Sequence, residues 1–284
     1  MNSPVHRVVL RPNQSWLELD WRGIVQYSDL LVELVLRDFT AKYKQTLLGP
    51  LWSIVSPLLT TIVFTLLFGR VIGVPTNGVP PLLFYLCSLL GWTYFANVMT
   101  ATGQTLTTNA RIFSKVYFPR LVPPLAVTIS NLFSLAIQFA FFLIAYVYYR
   151  LGTTVGAHLA VGPWVLLLPV LILHMAVLGL GVGLILSALT AKYRDLTHVT
   201  AILTQLWMYA TPVIYPLSKI PPHWRWLSEL NPMTAVVEAL REAFLGAGQV
   251  TPASYSLSLL LSLAILLTGI LLYQRMARTF VDVI

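Results

Sequence analysis

The sequence predicts an all-α polytopic membrane protein with six transmembrane helices, an N-terminal amphipathic interface helix and a short external re-entrant helix. Three observations predict it. Of the 284 residues, 57% are hydrophobic and 10% charged, with a mean hydropathy of +0.77, which takes the chain out of the soluble class. Six apolar runs each approach the ~20 residues that a ~30 Å hydrocarbon layer requires of a helix. Lysines and arginines avoid those runs and gather in the connections, the distribution that orients a membrane protein.

In chain order, residues 1–27 are polar and irregular, broken by Pro4 and Pro12, with Trp16 and Trp21 as isolated apolar points. The first fifty residues hold no long apolar core behind a basic start, so no cleaved signal peptide is expected. From Ser28, a plausible N-cap, Leu30, Leu31, Leu34, Val35, Leu36 and Phe39 fall mainly on one helical face, with Asp29, Glu33, Arg37 and Asp38 elsewhere. That helix is too charged to cross. It is expected to lie along the cytoplasmic surface with its apolar face at the headgroup boundary. Arg37, Lys42 and Lys44 follow, then the Gly49-Pro50 break, and Trp52 opens a run without charge until Arg70. Residues 1–50 are therefore read as a cytoplasmic N-terminal segment and 51–284 as the transmembrane domain.

The spans are expected at 51–72, 82–103, 121–149, 164–189, 198–217 and 254–273. An even number places both termini on one side. Thirteen Lys and Arg fall on the terminal side and five on the other, which makes the termini cytoplasmic. Pro57 lies one turn into the first span, where it can kink the helix. Gly179, Gly183 and Ser187 form a four-residue small stripe in the fourth span, expected to admit a neighbouring helix closely.

Two connections are informative. The cytoplasmic 107–120 loop offers Thr108 and Asn109 as caps, a short amphipathic helix with Ile112, Phe113, Val116 and Tyr117 on one face, and a stop at Pro119. Such a face rests on lipid or docks into a partner. The external 218–253 segment contains a helix of about fourteen residues capped by Asn231, with Pro232 in its first position and Gly246 closing it. Glu238 and Arg241 there form either an external ionic gate or an i, i+3 pair on a wet face.

The chemistry that is missing narrows the function. No Gly-Lys-Ser/Thr phosphate loop and no Gly-x-Ser-x-Gly elbow occurs. His6, His158, His174, His198 and His223 are scattered and Cys87 is the sole cysteine, so no metal-ligand spacing or disulfide is expected. The net charge of +8 belongs to topology rather than to a nucleic-acid groove. No charged residue lies between Arg120 and Arg150 or between Glu242 and Arg275, which argues against an intramembrane enzyme and an ion-coupled carrier. A conduit powered from elsewhere, without a cofactor of its own, is the expectation.

Arg37-Asp38, Lys42-Tyr43-Lys44 and Leu48-Gly49-Pro50-Leu51-Trp52 through Pro57 resemble the entry motif of type-2 ABC exporter permeases that move bacterial surface polysaccharides such as O-antigen, capsule and teichoic acid. Lys115 to Arg120, Asn231-Pro232 with Glu238 and Arg241, and Phe280-Val-Asp282 resemble other parts of that family. The resemblance implies a homodimer in the bacterial inner membrane, two copies of a separate cytoplasmic ATPase that binds the ATP, and a lipid-linked polysaccharide as cargo. It implies ATPase coupling through Asn109, Arg111, Phe113, Lys115, Tyr117 and Phe118. It also implies a glycan path between subunits, for which Trp52, Phe64, Trp92, Tyr94, Phe95, Trp207, Tyr209 and Tyr215 supply rings, sharing that role with lipid-belt positions. Arg37, Lys42 and Lys44 become candidate contacts to the diphosphate headgroup, with ordinary positive-inside anchoring as the alternative. A type-2 permease for small amphiphiles such as drugs or haem, and a membrane enzyme acting on lipid-linked sugars, are the competing functions.

Overall fold

The computed structural model describes residues 21–44, 46–113, 118–153, 159, 161–193 and 195–281, and the side chains of 21, 22, 111 and 278–281 lie outside what it describes. Among the described residues every regular element is helical. A short α1 (Trp21–Gln26) runs almost directly into α2 (Ser28–Tyr43). Ser28 is the first residue of α2 and not its cap, because Tyr27 holds that position without a side-chain bond. The amphipathic face also differs from expectation. Leu34 and Val35 pack onto Phe118, Val122 and Ala126, so protein covers much of the face assigned to lipid, while Val32 and Leu36 stay exposed.

The first span comprises a 3₁₀ turn at Gly49–Leu51, α3 (Trp52–Phe64) and a π-helical end at Thr65–Val71. Pro57 lies inside α3, and the Thr61 hydroxyl donates to the Pro57 carbonyl at 2.8 Å. α4 (Pro81–Thr102) forms the second span. Only 11% of the first span's most apolar window is buried within the subunit, against 78% of the second. α3 is therefore peripheral and α4 central.

Two single turns, α5 (Thr105–Thr108) and α6 (Ala110–Phe113), lead to α7 (Val122–Gly152), the third span. A 3₁₀ turn at Pro163–Leu167 opens the fourth, α8 (Leu168–Lys192). The small stripe on α8 meets α4 as expected. A Cβ on Gly179 would lie 3.0 Å from Val98, and one on Gly183 2.5 Å from Thr102 and 2.9 Å from the Met99 carbonyl. Ser187 accepts from the Leu106 amide at 3.3 Å. On its other side α8 packs at Gly181 against Leu266 of α12 (Pro252–Val281), the last span.

The run expected at 198–217 folds differently. α9 (Leu196–Ala210) has 15 residues, about 22 Å at helical rise, and the chain turns extended at Thr211. Among the described residues, five helices are long and apolar enough to cross a membrane. Pro212 and Pro216 explain the early stop, since neither can supply the amide that a continuing helix needs. After a 3₁₀ turn at Leu217–Lys219, α10 (Pro222–Glu229) exposes Trp224 and Trp226. α11 (Pro232–Leu245) has fourteen residues and its Asn231 cap accepts from the Met233 amide at 3.1 Å. Gly246 closes it at φ 61°, a left-handed conformation that suits glycine. α11 is buried along its length against α4, α8 and α12, which overturns the wet-face reading of Glu238 and Arg241.

Candidate functional site

Two polar assemblies stand out in the bundle, one at each end of α4. At the α2 end, the Tyr43 hydroxyl is hydrogen-bonded to Ser53 of α3 at 2.5 Å and to Ser134 of α7 at 2.8 Å. One phenol thus joins three helices. The neighbouring Lys42 ammonium donates to the same Ser134 hydroxyl at 2.9 Å. Lys42 lines a cleft of about 450 Å³ between α2, α4 and α7, whose other walls include Asn97, Thr100, Gln104, Ser130 and Asn131. The three expected headgroup cations are not gathered there. Arg37 pairs with Asp38 at 2.8 Å near the surface, an exposed pairing worth ~0–1 kcal/mol, and Lys44 is exposed beyond the end of α2.

Polar groups continue from this cleft along α7. Asn131, Ser134 and Gln138 fall at i, i+3 and i+7, on one helical face, and Thr93 donates to the Gln138 carbonyl oxygen at 2.8 Å. The third span has no charge before Arg150 in its last turn but carries a neutral hydrogen-bonding track. Both that track and the Asn97, Thr100, Gln104 spacing at the end of α4 are legible in the sequence to a search for neutral polar residues; a search for charges misses them.

At the opposite end, Arg241 is fully buried and makes four hydrogen bonds through its guanidinium. Nε donates to Ser88 of α4 at 2.8 Å, Nη1 to Glu238 at 2.8 Å and to the Tyr215 carbonyl at 3.4 Å, and Nη2 to the Val213 carbonyl at 2.9 Å. Its carbon centre lies 3.8 Å from the Phe84 ring centroid. Burial draws the Arg241 pKa below the usual guanidinium value, and the Glu238 carboxylate acts in the opposite sense. The other Glu238 oxygen accepts from the Gln249 amide at 2.8 Å. This node holds α4, α11, the 211–216 turn and the segment before α12 together. Asn231 adds a second tie, accepting from Trp207 Nε1 at 2.9 Å and donating to the Thr211 hydroxyl at 2.8 Å.

The eight candidate path rings do not share a surface. Phe64, Trp92, Tyr94 and Phe95 are buried inside the subunit, where Phe95 packs on Trp92 and Trp207. Trp52 and Tyr209 are half exposed at 50% and 47%. Tyr215 donates to the Tyr209 carbonyl at 3.1 Å. Burial follows because α4 is the hub of the bundle, so most of its rings meet other helices. Among the coupling candidates, Asn109 is buried and donates to the Thr105 carbonyl at 3.0 Å. Phe113 stacks on Phe118 at 5.4 Å beneath α2. Lys115, Tyr117 and the Arg111 side chain lie outside the described residues.

Residues 29–245 match the ABC-2 type transporter family. The chain is 31% identical over 229 residues to an O-antigen export system permease protein of Myxococcus xanthus, covering 78% of this chain and 83% of that one. It is 26% identical over 257 residues to an O-antigen export system permease protein of Klebsiella pneumoniae, covering 90% and 95%. It is 24% identical over 250 residues to the polysialic acid transport protein of Escherichia coli, covering 85% and 91%. With a match over most of its length and apolar helices arranged around one central span, this chain belongs to the ABC-2 type transporter family.

Proposed function

We infer that the chain is the permease subunit of an ATP-driven exporter of lipid-linked polysaccharide, carrying glycan of the O-antigen, capsule or teichoic-acid class out of the cytoplasm. The single observation behind this reading is the near full-length similarity to two kinds of permease whose names specify polysaccharide export. In this reading the subunit sits in a bacterial inner membrane with both termini cytoplasmic, residues 1–50 on that face, and α9 with its following turn as the fifth of six spans. A second copy completes the path, and two copies of a separate ATPase supply the energy.

The cleft then lies at the cytoplasmic rim, where Lys42 receives a phosphate of the lipid headgroup while Arg37 and Lys44 raise the local positive potential. The 107–120 loop passes the ATPase stroke to α2 and α7 together, because Phe113 and Phe118 pack against both. The Glu238–Arg241 node acts as the external closure that keeps α11 seated between strokes. Half-exposed Trp52 and Tyr209 are the rings best placed to face the glycan, whose C–H faces slide on aromatic surfaces without a fixed register. The test is a strain lacking this chain: lipid-linked glycan is expected to accumulate in its cytoplasm and to clear on complementation. Unchanged surface glycan in the deletion strain overturns the reading, as does robust ATP hydrolysis by the purified chain alone.

A further inference from the structure

We propose that the cleft between α2, α4 and α7 is a sugar-phosphate subsite: Lys42 takes the phosphate, and Asn97, Gln104 and Asn131 take the hydroxyl and amide groups of the first sugar beside it. This rests on the exporter reading above and adds that the permease senses the glycan's reducing-end sugar and not the anion alone.

The charge of the cleft favours an anion. An ammonium carries three donors, and Lys42 spends one of them on the neutral Ser134 hydroxyl. The acid that also borders the cleft, Asp38, is engaged by Arg37. Beyond Lys42 and Asp38 the walls carry neutral hydrogen-bonding side chains beside the apolar Phe39, Ala41, Ala101 and Val127. Asn97 of α4 and Gln104 just past its end are exposed, and their side chains hydrogen-bond to no other described residue. Both line the cleft. Asn131 donates its amide N–H to the Val127 carbonyl at 2.8 Å, which leaves its own oxygen to accept. Free donors and acceptors therefore face one another across the cleft. Sugar hydroxyls, which donate and accept at once, match that wall, and a lipid tail does not.

The floor and size agree. Phe39 lines the cleft, held between the Tyr43 and Phe133 rings at 4.9 and 5.0 Å, and offers an apolar surface to a sugar's C–H face. About 450 Å³ falls within the roughly 300–1,000 Å³ typical of small-molecule sites. A phospholipid headgroup shares the phosphate but not the sugar, so the two sources separate by experiment.

The test measures binding to the full chain in phosphatidylcholine nanodiscs. The probes are farnesyl diphosphate and farnesyl diphosphate bearing N-acetylglucosamine, glucose or galactose. At least one sugar-bearing probe is expected to bind about tenfold more tightly than farnesyl diphosphate, the increment of two or three added hydrogen bonds. Asn97→Ala with Gln104→Ala is expected to abolish that ratio while leaving farnesyl diphosphate affinity unchanged. Lys42→Gln is expected to weaken every probe. If no sugar improves binding to the native chain, or the ratio survives the double substitution, the sugar subsite is overturned while Lys42-dependent binding still supports the exporter reading. If no probe binds at all, both fall.

Discussion

Replacing Arg241 is expected to be the most damaging single change at the α11 end, and its size follows from the hydrogen bonds. Arg241→Ala removes the donors that satisfy Ser88, Glu238, Val213 and Tyr215 and strands a 2%-exposed carboxylate with only the Gln249 amide to stabilise it. Breaking a buried pair by removing one partner costs about 3–5 kcal/mol. For chains of this order each kcal/mol moves the melting point by roughly 2–4 °C, so the midpoint should fall by on the order of 10 °C. Thermal unfolding of the detergent-solubilised chain, followed by size-exclusion fluorescence, reads this directly. Arg241→Lys should recover little of the loss, because an ammonium cannot span Ser88 and the two carbonyls together. Arg241→Met with Glu238→Leu should recover at least half, since it removes both charges instead of orphaning one. A single variant that melts within about 2 °C of the native chain, or a double variant worse than the single, refutes the view that this pair clamps α11.

Four further outcomes follow from the packing. Gly248→Ala should destabilise by about 1–3 kcal/mol in the same melting assay, because the added Cβ would overlap the Glu238 carbonyl and lie 2.7 Å from the Glu242 amide, both fixed backbone. Gly183→Ala should force α8 from α4 at Thr102 at a similar cost; cysteine cross-linking between the two helices should slow. Asn231→Ala removes the α11 cap and the ties to Trp207 and Thr211, worth about 2 kcal/mol. Limited proteolysis should then open the 211–231 segment, and Asn231→Asp should restore most protection because it keeps the acceptor. Tyr43→Phe loses the hydroxyl joining Ser53 and Ser134, about 1 kcal/mol per bond, and hydrogen exchange along α2 should rise.

The sequence by itself determined the membrane class, five of the spans and the limits of α11. These depend on local quantities: a span is a length of apolar residues set by bilayer thickness, and Asn231-Pro232 with Gly246 fixes helix ends through capping and backbone geometry. The stripe of Gly179, Gly183 and Ser187 was legible for the same reason, because small residues at four-residue spacing leave few other uses. Only the tertiary structure decided that α2 lays its apolar face on α7, that Glu238 and Arg241 pair in the dark, and that half of the candidate rings are internal. In hydrocarbon a residue facing lipid and one facing another helix are equally apolar, so composition cannot say which way a helix is turned. That choice is made by which helices meet, and here α4 met nearly all of them.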